Sequence, residues 1–115
     1  MAMTAPFAPL FAGTTGLANS TTVAATASST TSTAFSGNAA QTNAVNQIRV
    51  TNTTAVFAYV NFGPLATVAA ATVANSLPIA PNSVEVFTVD PTVNAATVIL
   101  ASGTGNVIFT RGEGI

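Results

Sequence analysis

The first ionisable side chain of this chain is Arg49, so residues 1–48 carry no charged side chain. Within this stretch, residues 23–35 read VAATASSTTSTAF, where only Val23 and Phe35 are larger than threonine. A segment this polar and uncharged has little apolar surface to offset the entropy lost on ordering. We therefore expect residues 1–46 to form an extended arm that becomes ordered against a partner.

The arm offers a small set of apolar and proline residues for that contact. Its opening, APFAPLF, combines prolines, which favour extended backbone, with aromatic and leucine side chains that can fill grooves. The β-branched character of STTSTAF also predicts one edge strand near residues 30–36, added to this chain or to a neighbour. The expected partner contacts of the arm are Pro6, Phe7, Pro9, Leu10, Phe11, Val23 and Phe35.

Charge is scarce along the whole chain. Only 4% of the 115 residues are charged, with a formal net charge of −1, whereas soluble domains carry roughly 25% charged residues. Near-neutral surfaces tend to associate. We expect a homo-oligomeric subunit largely covered by neighbours; the alternative is a monomer with an unusual surface.

Residues 47–115 have the pattern of short β-strands. QIRVTN alternates, with Ile48 and Val50 on one face, and VFAYVNF and SVEVFTV are rich in β-branched and aromatic residues. SLPIAPNS suits an edge strand or a crossing between sheets, and ATVILAS and NVIFTR, separated by GTG, predict a hairpin. ATVAAATVAN is the one candidate helix. The pattern predicts an all-β fold, a small antiparallel β-sandwich or jelly roll over 47–115 with an extended N-terminal arm.

The residue types argue against most site chemistry. The chain contains no His, Lys, Cys or Trp, which removes the usual general bases, thiol nucleophiles and zinc ligands. We expect no enzyme activity, no cofactor and no metal; a weak calcium site at Glu85 and Asp90 is the alternative. Two cations and a pI near 4.7 disfavour nucleic-acid binding. No secretory leader or membrane-spanning run of apolar residues is visible, so we expect no membrane partner.

The few charges are candidates for an interface. Arg49 could pair with Glu85 across strands or across a subunit boundary, and Arg111 could pair with Glu113 or with a neighbour's carboxylate. Such pairs fix register and orientation more than affinity. The alternative is that all four side chains are solvated on strand surfaces.

The C-terminal part resembles a group of small proteins encoded among the virion genes of tailed bacteriophages. The similarity lies in QIRVTNTTAVFAYVNFG, LPIAPNSVEVFTV and ASGTGNVIFTRGEGI, and covers about 60% of the chain. The resemblance implies a capsid decoration, or cement, protein on the outer capsid surface of the virion, made in the host cytoplasm. It implies the major capsid protein as partner and self-association, with trimers more common than dimers. The N-terminal arm has no clear counterpart in that pattern.

Three other classes fit the same composition. A head-fibre, tail or adhesin component would be favoured by a pocket lined by Tyr59 and Phe62. A self-assembling filament subunit would exchange its N-terminal segment between copies. A small-ligand-binding module is disfavoured by a single Tyr and no Trp.

Overall fold

A computed structural model describes residues 8–9, 11–12, 17–18, 20–35, 45–90 and 92–114. Eleven β-strands, and no helix, lie in these ranges. They are β1 (Ala8–Pro9), β2 (Phe11–Ala12), β3 (Leu17–Ala18), β4 (Ser20–Ala25), β5 (Thr30–Thr31), β6 (Val45–Asn52), β7 (Ala58–Gly63), β8 (Leu77–Ile79), β9 (Ser83–Thr88), β10 (Ala95–Leu100) and β11 (Gly105–Gly114).

Two antiparallel sheets form a sandwich, which confirms the predicted fold class. In the first sheet β11 pairs with β6, and β6 pairs with β9. The other side of β11 is shared by β4, opposite residues 105–110, and β1, opposite 112–113. The second sheet has the order β5-β10-β7-β8. A separate pairing joins β2 and β3.

Alternating side chains from both sheets make the core. The alternation predicted for β6 is confirmed, because Ile48 and Val50 are fully buried. They pack with inward residues of β7, β10 and β11 and with an aromatic group at one end of the sandwich. Burying alternate Val, Ile and Phe side chains on two facing sheets supplies most of the stabilisation of such a fold. The aromatic group comprises Phe35, Phe62, Phe87 and Phe109, with neighbouring ring centroids 5.6–6.1 Å apart.

The described part of the expected arm that follows residue 19 belongs to the sandwich. β4 supplies Val23 and Ala25 to the core, and β5 pairs with β10 as the edge strand of the second sheet. Beyond β5, the Ser32 amide donates to the Ala96 carbonyl at 2.8 Å, and the Phe35 amide donates to the Asn94 carbonyl at 2.6 Å. Backbone pairing along β10 and β11, together with three buried apolar side chains, therefore orders residues 20–35 within their own chain.

One local prediction was wrong, and one candidate helix does not form. β10 and β11 do not form a hairpin, because they lie in different sheets and residues 101–104 cross between them. Gly103 does take a positive φ of 71° in this crossing, a conformation that favours glycine. The segment ATVAAATVAN is not helical; its valines and threonines favour extended backbone, and its carbonyls accept bonds from the second sheet. SLPIAPNS gives the edge strand β8 followed by a crossing to β9, as expected.

The segment 64–76, here called the covering loop, lies on the outer face of the second sheet. The Thr97 hydroxyl donates to the Ala69 carbonyl at 2.6 Å, and Asn61 Nδ2 donates to the Ala70 carbonyl at 3.1 Å. The Ala71 amide donates to Ser29 Oγ at 2.9 Å. These bonds cross from β7 over β10 towards β5, so part of the outer face is already covered by this chain.

Candidate functional site: the outer surfaces of the sandwich

Arg111 lies inside the sandwich rather than at an exposed interface. Its exposed fraction is 1%, and its Nη2 donates to the Val93 carbonyl at 2.6 Å. The guanidinium carbon is 6.0 Å from the ring centroid of Phe35, a cation–π distance. Nε and Nη1 are buried without a hydrogen-bond partner within the described part of the chain. Desolvation lowers the pKa of Arg111, although a guanidinium remains protonated in proteins.

The burial of Arg111 fits neither the interface pair suggested by the sequence nor the solvated alternative, and the sequence held a signal against both. In NVIFTR, Val107, Phe109 and Arg111 are two residues apart, so they share one face of β11. Since Val107 and Phe109 point into the core, Arg111 does too. The backbone of Glu113 pairs with Asn46 and Ala8, while its side chain lies outside the described residues.

Arg49 and Glu85 do not stand opposite each other. The register of β6 and β9 places Arg49 beside Val86 and Glu85 beside Val50. Because side chains alternate between faces, Arg49 belongs to the outer face and Glu85 to the inward face of the same sheet. Arg49 is half-buried and Glu85, on the edge strand, is exposed. The direct cross-strand pair suggested by the sequence is thus not the arrangement that the register gives.

The expected arm contacts fall into two groups. Val23 and Phe35 are 4% and 7% exposed, so the core rather than a partner uses them, which corrects that prediction. Pro9 is half-buried and pairs with Gly112. Phe11 has its backbone in β2, with its side chain outside the described residues. Pro6, Phe7 and Leu10 lie wholly outside the described residues.

The pocket suggested by Tyr59 and Phe62 does not form, because the two residues lie on opposite faces of β7. Phe62 packs in the core, 6.1 Å from Phe109 between ring centroids. Tyr59 lies on the outer face and stacks on Phe57, which is 43% exposed, with centroids 6.3 Å apart. These two rings form an exposed aromatic pair instead of a pocket.

The carboxylate of Asp90 is used locally. Asp90 Oδ1 accepts bonds from the Thr92 amide at 2.9 Å and the Thr92 hydroxyl at 2.8 Å. These two bonds lower the pKa of Asp90 below its usual range. No group of three or more His, Cys, Asp or Glu that could hold a metal ion occurs among the described residues. The described ranges also contain no helix that is long and apolar enough to cross a membrane.

Large apolar side chains are exposed at several places on the described surface. Leu77 is 43% exposed on β8, and Val84 and Val86 are 55% and 42% exposed on β9. The two valines lie on the outer face of the first sheet, at its edge. The remaining exposed large apolar side chains are Phe57, Leu65 and Val73.

Comparisons of this chain with protein-family models, curated proteins and solved structures gave no match. The surface just described is consequently the structural basis for any proposal about function.

Proposed function

We propose that this chain is a structural virion protein, a capsid decoration protein that binds the outer capsid surface and clamps neighbouring capsid subunits. Three things support the proposal: the small β-sandwich, the scarcity of charge and the resemblance of residues 47–115 to virion proteins of tailed phages. In this role, the partner is the major capsid protein and the task is mechanical. A clamp resists separation of capsid subunits under internal pressure without any chemical step.

The observation that carries the proposal is the composition of the described surface. Its charged side chains are Arg49, Glu85 and Asp90, whereas six large apolar side chains are 42–55% exposed. Such a surface forms close apolar contacts and neutral hydrogen bonds with little cost from desolvating charges. Where exposed apolar side chains are neighbours, as Val84 and Val86 are on the outer face of β9, they form the kind of area that marks a contact surface.

The N-terminal residues that precede β4 complete the proposed attachment. β1 continues the line of β4 along β11, so the described start of the arm lies at one end of the first sheet. Pro6, Phe7, Pro9, Leu10 and Phe11 are the proposed capsid contacts. Attachment through both the arm and the sandwich surface is multivalent, which makes release slow even where each contact is weak.

The proposal is tested on virions of the phage whose genome carries the gene. Mass spectrometry of purified virions, separated into heads and tails, should find the chain in the head fraction. Added to heads that lack it, the purified chain should co-sediment with them and raise the temperature at which they release DNA. A chain absent from virions, or present only with tails, would contradict the proposal.

The arm contact has its own test with a matched control. Phe7→Ser should weaken co-sedimentation with heads, whereas Thr53→Ser, an exposed change on the sandwich, should leave it unaltered. Equal binding by the Phe7 variant and the unaltered chain would show that the arm does not contact the capsid.

A tail-fibre or adhesin component remains the second candidate because of one observation. The exposed stack of Phe57 on Tyr59 is a flat aromatic surface of the kind that binds sugar rings or other planar groups. Recovery of the chain with tails, and loss of attachment to host cells on Phe57→Ser, would favour this candidate over capsid decoration.

A further inference from the structure

β9 forms an open edge of the first sheet. It pairs with β6 through six residues, and no strand pairs with its other side in the described part of the chain. An edge strand presents N–H and C=O groups on its free side, and another extended strand satisfies them best. The adjoining edge of the second sheet is β8, which has three residues and contains Pro78.

The outer face of β9 lacks the usual protection of an edge. Natural proteins commonly guard edges with lysine, proline or a bulge, but here the outer face of the strand carries Val84 and Val86, both more than two-fifths exposed. The one charge of β9, Glu85, lies on the inward face, where a charge also guards an edge, so it limits the registers in which a second strand can pair. If another strand pairs with this edge, the two valines are covered on the outer face of the extended sheet. The Glu85 carboxylate then lies on the opposite face.

We propose that β9 pairs antiparallel with β9 of a second copy of this chain, about a twofold axis, so that the first sheets of two copies become one continuous sheet. The occupant is an identical strand because the edge is self-complementary: with the axis at Val84 or Val86, that valine faces its own copy on the outer face, as an isologous interface requires. This inference goes beyond the proposed function, because two copies can pair whether or not they bind a capsid.

The charge of Glu85 limits the possible alignments between β9 and β9 of the second copy. In an antiparallel pair, residues that stand opposite each other have their side chains on the same face. If the outer faces of both copies lie on one side of the joined sheet, one residue of β9 must therefore stand opposite its own copy at the twofold axis. The candidates near the centre of the strand are Val84, Glu85 and Val86. An axis through Glu85 would set two carboxylates directly opposite each other, which is destabilising. An axis through Val86 sets Glu85 opposite the copy's Phe87, and an axis through Val84 sets it opposite the copy's Ser83. The axis is therefore assigned to Val84 or Val86.

The opposite edge of the same sheet supplies a matched control. Thr22 of β4 stands in the same cross-strand row as Val84, through Ile108 and Thr51, and is likewise exposed on the outer face. A Thr22→Lys variant thus introduces the same charge on the same face at the other edge. Val84→Lys removes apolar contact from the proposed interface and sets two like charges near the axis.

The first experiment measures mass in solution by sedimentation velocity over a wide range of concentrations. The unaltered chain and Thr22→Lys should dimerise with the same concentration dependence, and Val84→Lys should remain monomeric with an unchanged circular dichroism spectrum. A monomeric or trimeric unaltered chain, or equal loss of dimer in both variants, would overturn the inference.

The second experiment uses the lack of cysteine in the chain. A cysteine on the twofold axis meets its copy at a distance that a disulfide can span. Under mild oxidation, either Val84→Cys or Val86→Cys should form a covalent dimer well ahead of Thr22→Cys. Failure of both valine positions to cross-link faster than Thr22→Cys would overturn the inference. A chain that does not dimerise but binds phage heads would contradict this inference and support the proposed function. A chain that dimerises through β9 but does not bind heads would support the inference and contradict the proposed function.

Discussion

Asn52 is 1% exposed and connects three segments at one end of the core. Its Nδ2 donates to the carbonyls of Val56, Ile79 and Ala80 at 2.9–3.2 Å. Its Oδ1 accepts from the amide and the hydroxyl of Thr54 at 3.0 and 2.7 Å. The side chain thus ties the end of β6 to the turn that follows it and to the crossing between β8 and β9.

Asn52→Asp should destabilise the fold strongly. The new carboxylate would face three carbonyl oxygens with no donor of its own, in a place where water cannot compensate. We expect the free energy of unfolding to fall by roughly 3 kcal/mol, measured by urea titration. Asn75→Asp, the same change at an exposed position, should alter it little. Similar stabilities for the two variants would contradict the role of Asn52 as a buried connector.

Asp90 gives the clearest expectation about pH. Because hydrogen bonds from Thr92 favour the ionised form, the pKa of Asp90 lies below its usual value of 3.8. The ionised carboxylate therefore stabilises the folded state at pH values above the pKa that Asp90 has in the unfolded chain. This stabilisation is lost as the pH falls through the lower pKa of the folded state. NMR titration should place the Asp90 midpoint below 3.8. Thr92→Val, which removes the hydroxyl and retains the larger amide contribution, should raise it only part of the way. A midpoint for Asp90 at its usual value would contradict the hydrogen bonds from Thr92 to its carboxylate.

Residue identity in the sequence revealed some of these roles but not others. Alternation was enough to place Ile48 and Val50 in the core, and the same rule applied to NVIFTR places Arg111 beside them. The role of Asn52 was not visible, because its partners are backbone carbonyls up to 28 positions away. Only the tertiary fold brings those carbonyls together.

At the scale of elements, the start of β11 packs closely against the turn after β6. A Cβ added at Gly105 would collide with the Cγ2 methyl of Thr54. Thr54 is not free to rotate away, because its hydroxyl donates to Asn52 Oδ1. Gly105 is therefore required for close approach between two elements. Its φ is not positive, unlike that of Gly103.

Gly105→Ala should lower the free energy of unfolding by about 1–3 kcal/mol, the usual cost of overpacking. Thr54→Ser removes the colliding methyl and keeps the hydroxyl, so the double variant Gly105→Ala/Thr54→Ser should regain most of that loss. Thermal denaturation of the four chains in a double-mutant cycle measures the coupling. Additive effects of the two substitutions would show that the methyl is not the obstacle.

The elements themselves were predicted more reliably than their connections. Local alternation and β-branched residues identified β6, β7, β9, β10 and β11, since strand formation depends on nearby residues. The crossing between β10 and β11 was mistaken for a hairpin because a short glycine-rich link suits either connection. The candidate helix within the covering loop does not form, because the hydrogen-bond partners of this segment, Asn61, Thr97 and Ser29, come from other parts of the chain.

The whole molecule depends on its uncharged N-terminal half more than composition suggests. Low charge and small side chains were interpreted as an arm that needs a partner, and that partner proves to be the chain itself for residues 20–35. Small residues suit this role, because β4 and β5 pair along strands whose inward faces are already filled by larger side chains. One valine, one alanine and one phenylalanine suffice to fix the segment to the core.

This arrangement predicts how the molecule responds to shortening. A chain beginning at Asn46 loses β1 to β5 together with Val23, Ala25 and Phe35, and exposes the edges of β10 and β11. Burial of each valine or phenylalanine contributes about 1.5–3 kcal/mol, against a total stability of roughly 5–15 kcal/mol for a domain. We expect no cooperative thermal transition for this chain, whereas one beginning at Ala8 should unfold cooperatively near the temperature of the full chain. Circular dichroism melts measure both. A cooperative, unshifted transition for residues 46–115 would show that the sandwich folds without β4 and β5, and that residues 20–35 bind to a domain already formed.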